Sequence, residues 1–124
     1  MRDSIELKSN LSDLKFRLNE IREGVFDVSA KEQRLEQIEI DLAKEEVWSD
    51  LELSQKISKE KTAIEKSLIN FKSVEEKVSD SLVLLEIAES ESDIDSINEI
   101  SKDFTELDDA VAALEFSKMF TNKM

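Results

Sequence analysis

The chain has no cysteine, no histidine, no proline and no tyrosine, and its 124 residues include one glycine and one tryptophan. Without Cys there is neither a disulfide framework nor a thiolate metal site, which leaves the redox compartment open. Without His, the Glu-x-x-His pairs of a di-iron bundle are excluded, as is a Ser-His or Cys-His nucleophile. A phosphate-cradling loop needs several glycines, and only Gly24 is present. The usual helix-breaker is missing and the usual turn-former nearly so, which makes long helices the default and strands improbable.

What is present is charge. Thirty acidic and 17 basic residues give a net charge of −13, and 38% of the chain is Asp, Glu, Lys or Arg. A surface whose main task is gripping phosphates would carry the opposite sign, so proteins are the expected partners, and no direct sequence-specific nucleic-acid contact is expected. The start, MRDSIELKSN, holds no apolar run of signal-peptide length, and nowhere do eighteen uncharged apolar residues follow one another. The chain therefore reads as cytoplasmic, with no membrane partner. Its length suits one domain over residues 1–124, burying roughly two-thirds of its unfolded surface.

Apolar periodicity places four helices, at about 3–23, 30–45, 50–88 and 93–120. The first carries Leu7, Leu11, Leu14, Leu18, Ile21 and Val25 in steps of four and three. It is expected to end near Gly24 in the left-handed conformation that glycine tolerates. Ser29 with Glu32, and Ser49 with Glu52, have capping-box spacing for the second and third helices. The second turns Leu35, Ile38 and Leu42 inward, with Ile40 flanking. The third has Ile57, Ile64, Phe71, Val78 and Leu85 at seven-residue intervals, with Leu53, Leu68, Val74 and Leu82 widening the stripe. Register is lost near Ala88, where Ser92, Asp93 and Asp95 open a fourth helix whose stripe is Ile97, Ile100, Phe104, Leu107, Val111 and Leu114. The expected fold is all-α, an elongated antiparallel bundle of about four helices with coiled-coil-like packing. In up-down-up-down order it would hold both termini at one end and the turns at 23–28 and 88–92 at the other.

Few residues invite a chemical role. Trp48 is expected to plug a core end at the joint formed by Ser29, Glu32, Ser49 and Glu52, rather than to anchor a partner. Residues 89–109 hold nine carboxylates against one base, Lys102. That segment reads as a solvated face or, within it, as a partner surface built on Glu89, Glu91, Asp93 and Asp95. The Asp93, Asp95, Ile97, Glu99 series is no calcium loop, because Asn98 stands where the sharp turn needs Gly and Phe104 where the bidentate carboxylate belongs. Phe116, Met119 and Phe120 form an apolar cluster at i, i+3, i+4 spacing, suited to the core or to a following domain. A Ser-Lys dyad would need a desolvated concavity that a narrow bundle does not supply. No catalytic, metal-binding or cofactor-binding residue is assigned.

Three stretches together resemble one family. Phe26, Asp27, Ala30, Lys31, Arg34, Leu35, Glu36 and Ile38 are followed by Glu46, Val47, Trp48 and Asp50. Downstream come Leu84, Leu85, Glu86, Ile87 and Ala88, with Glu91 to Asp95, and then Leu114, Glu115, Phe116, Met119 and Phe120. In this order and spacing they resemble the amino-terminal region of the bacterial peptide chain release factor 2 family, the class I factors that read UGA and UAA stop codons and trigger peptidyl-tRNA hydrolysis.

The resemblance implies a helical domain that helps position the factor at the factor-binding, stalk-base region of the large ribosomal subunit. The ribosome is then the partner of the full-length factor, with the GTPase class II release factor as a further candidate. Codon reading and hydrolysis in that family rest on Ser-Pro-Phe and Gly-Gly-Gln motifs, and this chain has neither proline nor adjacent glycines. No codon-reading or hydrolytic residue carries over, and the chain is expected to be a fragment of a longer protein, monomeric or weakly dimeric. Two other classes fit the residues: a self-associating coiled-coil scaffold, and a small acidic helical adaptor or chaperone.

Overall fold

Apolar residues spaced at three and four leave a helix one face to bury, and here each face finds another helix. The computed structural model describes residues 4–24 and 26–122, and side chains as far as Phe116. Val25, Met119 and Phe120, singled out above, lie outside that description. The described residues form five helices and no strand: α1 (Ser4–Glu23), α2 (Val28–Leu42), α3 (Glu45–Trp48), α4 (Leu51–Ser90) and α5 (Ile94–Asn122). The all-α class is as expected. The chain divides into two compact units, one of Met1–Phe26 with Lys72–Met124 and the other of Asp27–Phe71, and the unbroken α4 contributes to both.

In the first unit, Leu7, Leu11, Leu14, Leu18 and Ile21 of α1 are all buried. The Val74, Val78, Leu85 and Ala88 face of α4 and the Ile97, Ile100, Leu107, Val111 and Leu114 face of α5 are buried as well, α5 lies against α1, and Phe104 is half-buried. Charged pairs fix the register. Lys8 lies 3.5 Å from Glu86, and the Arg22 guanidinium donates to both carboxylate oxygens of Glu75 at 2.8 and 2.9 Å, so α1 runs antiparallel to α4. Arg17 reaches across to α5, donating to Glu115 at 2.7 and 3.1 Å and to Asp108 at 3.1 Å. The Lys8 end of α1 thus sits near the end of α4, where α5 begins, and Arg17 sits far along α5. α1 and α5 are therefore parallel neighbours, whereas up-down-up-down order would make them antiparallel. The forty residues of α4 take part in both units, which the short-connection rule does not foresee.

The second unit is smaller and its core thinner. Val28, Ile38, Val47, Leu68 and Phe71 are buried, but Leu35, Leu42, Ile57 and Ile64 are only half-buried. Arg34 grips Glu60 through two hydrogen bonds of 2.7 Å, and Lys61 lies 2.6 Å from Glu39, so α2 lies beside the first half of α4. These pairs are solvent-exposed, and such pairs do more for register than for stability.

The punctuation departs from the sequence reading at each joint. Gly24 is not left-handed. Its amide donates to the Glu20 carbonyl at 2.9 Å, and a Cβ there would stand 2.7 Å from that same oxygen, so it is the missing side chain that the turn requires. The capping box at Ser29 and Glu32 is replaced by Asp27, whose carboxylate accepts from the Ala30 amide at 3.0 Å. Asp27 has φ 50°, a conformation Asp tolerates better than most residues, and it places Ser29 inside the helix. Ser49 cannot cap α4 because its amide still closes α3 onto Glu45, with helical backbone angles. Asp50 takes the role, accepting from the Leu53 amide at 3.2 Å. The helix expected over 30–45 ends at Leu42, where Ala43 and Lys44 donate back three residues to Ile40 and Asp41 and tighten the last turn. Lys44 then adopts extended angles before the single turn of α3.

Candidate functional site

The α4–α5 turn is built from two motifs that share residues. At its start the Asp93 amide donates to the Ala88 carbonyl at 2.9 Å and the Ser92 amide to the Glu89 carbonyl at 3.2 Å, the bond pair of a Schellman closure. Ser92 occupies the left-handed position, φ 54°, where glycine is usual. At its end Asp93 caps α5. One carboxylate oxygen accepts from the Ser96 amide at 3.1 Å and the other from the Ser96 hydroxyl at 2.7 Å. Those hydrogen bonds, the hydroxyl's first, hold the Asp93 carboxyl below the usual aspartate range.

The four carboxylates proposed as a partner surface therefore divide. Asp93 is committed to the turn. Glu89 is half-buried on the last turn of α4, while Glu91 and Asp95 are exposed on either side of the turn. Farther along the acidic segment Asp108 is drawn to Arg17, which also binds Glu115. That guanidinium holds the Glu115 carboxyl below its ordinary value, and the pairing, chiefly with Glu115, raises the affinity of Arg17 for its own proton.

Trp48 does not seal a joint. It is 58% exposed, and Val47 beside it is the residue that enters the core, at 8%. Leu51 and Ile40 are also exposed. The seven-residue seam that could zip two copies together is largely occupied within the chain, since Phe71, Val78 and Leu85 are fully buried. Sequence reasoning missed a second exposed apolar group, Val83, Leu84 and Ile87 on α4, all at least half exposed. The signal was present in the run LVLLEIA at 82–88, which is apolar on every side of the helix but that of Glu86.

One concavity in the second unit is an open groove along α4, bordered by Ser58, Lys59, Thr62 and Lys66. The Thr62 hydroxyl is spent on the Ser58 carbonyl at 3.1 Å. No cluster of three metal-ligating side chains occurs among the described residues, and no described helix is long and apolar enough to cross a membrane.

No family model matches the chain. Curated relatives do. Peptide chain release factor 2 of Xanthomonas euvesicatoria pathovar vesicatoria is 35% identical over 118 residues, which cover 95% of this chain and 31% of that protein. The Shewanella baltica protein of the same name is 35% identical over 117 residues, covering 90% and 32% respectively. That of Aliivibrio fischeri is 34% identical over 115 residues, covering 93% and 31%. The chain thus spans about a third of the length of the relatives it matches. The resemblance carried by Phe26–Asp50, Leu84–Asp95 and Leu114–Phe120 is borne out, and over nearly its whole length the chain is homologous to one portion, about a third, of the bacterial peptide chain release factor 2 proteins.

Proposed function

We propose that the chain is the amino-terminal helical portion of a class I peptide chain release factor, acting in translation termination at UGA and UAA codons in the cytoplasm. In this reading residues 1–124 work as one helical domain of a longer protein. The domain helps seat the factor at the stalk base of the large ribosomal subunit, with the GTPase class II release factor as a second partner. It reads no codon and hydrolyses no ester itself.

The observation that carries the reading is homology over 90–95% of the chain to proteins that all bear one name. The architecture is compatible with it. A forty-residue helix with capped joints suits a positioning element better than a reaction centre.

The contact is assigned to the α4–α5 turn, through Glu89, Glu91 and Asp95, with Asp93 holding the turn in shape. The test is a full-length factor carrying Glu89→Lys, Glu91→Lys and Asp95→Lys together, assayed for peptide release from stalled ribosomes at limiting factor. Release should slow by about threefold or more as association weakens, with the helical fold retained by circular dichroism. A wild-type rate would remove this surface from the assignment.

A further inference from the structure

The chain carries an apolar surface that its own helices leave open. Over residues 82–88 of α4 the only polar side chain is Glu86. Leu85 and Ala88 face the core at 0% and 3% exposure, while Val83, Leu84 and Ile87 stand at 56%, 55% and 50%. At about 100° per residue Val83 and Ile87 lie one turn apart on the side opposite the core, with Leu84 beside them. Isolated exposed apolar side chains are ordinary, but three large ones within five residues of a helix form a continuous ridge. A helix apolar on two opposite sides is one adapted to burial on both.

The charges around the ridge say what can bury it. Asp80 lies about a turn before Val83 on the same side, and Glu91 about a turn after Ile87. Asp95 follows the turn, while Glu86 is engaged with Lys8 at 3.5 Å. Lys77 is the nearest base on α4. An acidic rim repels nucleic acid and anionic lipid, and it repels a second copy of a chain whose net charge is −13. We propose that Val83, Leu84 and Ile87 form the docking ridge for a basic amphipathic helix of another protein, whose apolar stripe packs on the ridge while its Lys or Arg flanks meet Asp80, Glu91 and Asp95. The assignment is independent of the termination reading, since it rests on the exposure and charge of this face alone.

The probe is a fluorescein-labelled Leu/Lys amphipathic peptide of about 18 residues, five helical turns. It is titrated with the full chain at about 0.15 M salt and followed by anisotropy. Binding should saturate. The double variant Val83→Ser/Ile87→Ser keeps every charge and should weaken binding by about tenfold or more. Phe16→Ser, which removes an exposed apolar side chain from α1, should leave it unchanged. Circular dichroism and melting establish that each variant is folded. Undiminished binding by the double Ser variant would mean that charge alone attracts the peptide, and would overturn the proposal. So would equal binding of a Leu/Glu peptide, or a dimer of the chain at tens of micromolar that the double variant dissociates.

Discussion

Ser92 sits where the α4–α5 turn asks for glycine, so Ser92→Gly should stabilise the protein. Its φ of 54° is left-handed, a conformation that costs an L-residue about 1–2 kcal/mol through the approach of Cβ to the following carbonyl oxygen. Glycine removes that cost but adds about 0.4–1 kcal/mol of chain entropy lost on folding. The difference is a net gain of about 0.5–1 kcal/mol. Ser92 is exposed, and the Schellman bonds to Ala88 and Glu89 come from backbone amides that glycine keeps. At about 2.1 cal/mol/K of unfolding entropy per residue, the gain raises Tm by about 3–6 °C if the unit of Met1–Phe26 and Lys72–Met124 melts alone. It raises Tm by about 2–4 °C if the whole chain melts together. Differential scanning calorimetry measures the shift and shows whether one transition or two carry it. Ser92→Ala retains the Cβ and should gain nothing. A Ser92→Gly protein that melts no higher than wild type, or an Ala variant that gains as much, would refute the strain argument.

Two further outcomes follow from packing and charge. Val47→Ala should cost about 2 kcal/mol in urea denaturation, because it removes two buried methyl groups. Trp48→Ala should stay within about 1 kcal/mol, because the indole is 58% exposed; the reverse order would restore Trp48 as the core plug. Arg17→Met should cost about 1 kcal/mol at neutral pH and low salt, a figure held down by solvent screening because the Glu115 side chain is 40% exposed. Because Arg17 lowers the Glu115 carboxyl below its ordinary value of 4.5, that contribution is complete above 4.5 and is lost as pH falls through the lower folded value. The gap between wild type and Arg17→Met, measured by urea denaturation at neutral and acid pH, should therefore narrow on acidification.

Burial followed apolar period closely wherever a helix had a full partner. Leu7 to Ile21 and Ile97 to Leu114 could be read directly, because a 3.6-residue repeat leaves one face and that face met a core. In the first half of α4 the same period misleads by degree: Ile57 and Ile64 continue the series of Phe71, Val78 and Leu85 but are only half-buried. They pack in the thinner unit. The caps slipped by one or two residues because Asp27 and Asp50 compete with Ser29 and Ser49 for the same amides, and backbone angles decide between them. Ser49 shows this most plainly, since α3 is a single turn that neither proline nor glycine announces. Trp48 departs from the rule that a large apolar side chain turns inward, because the smaller Val47 beside it has the orientation that reaches the core.

The acidic segment shows why a candidate surface is harder to read than a core. Its carboxylates look alike in sequence, yet Asp93 caps a helix, Asp108 joins Glu115 beyond the segment in holding Arg17, and Glu91 and Asp95 stand exposed. Reversing all four of Glu89, Glu91, Asp93 and Asp95 would combine two effects. Asp93→Lys removes the α5 cap and puts a cation at the positive end of that helix, so it loosens the turn whatever the turn binds. Glu91→Lys and Asp95→Lys alter the field around the turn and leave its hydrogen bonds in place. A loss of binding that needs the Asp93 change is therefore a loss of shape. One produced by Glu91 and Asp95 alone, and reduced by added salt, is recognition by charge. If the Val83, Leu84 and Ile87 ridge belongs to the same contact, Val83→Ser with Ile87→Ser should weaken that binding without changing its salt dependence, because the apolar part of the interface carries no charge for salt to screen.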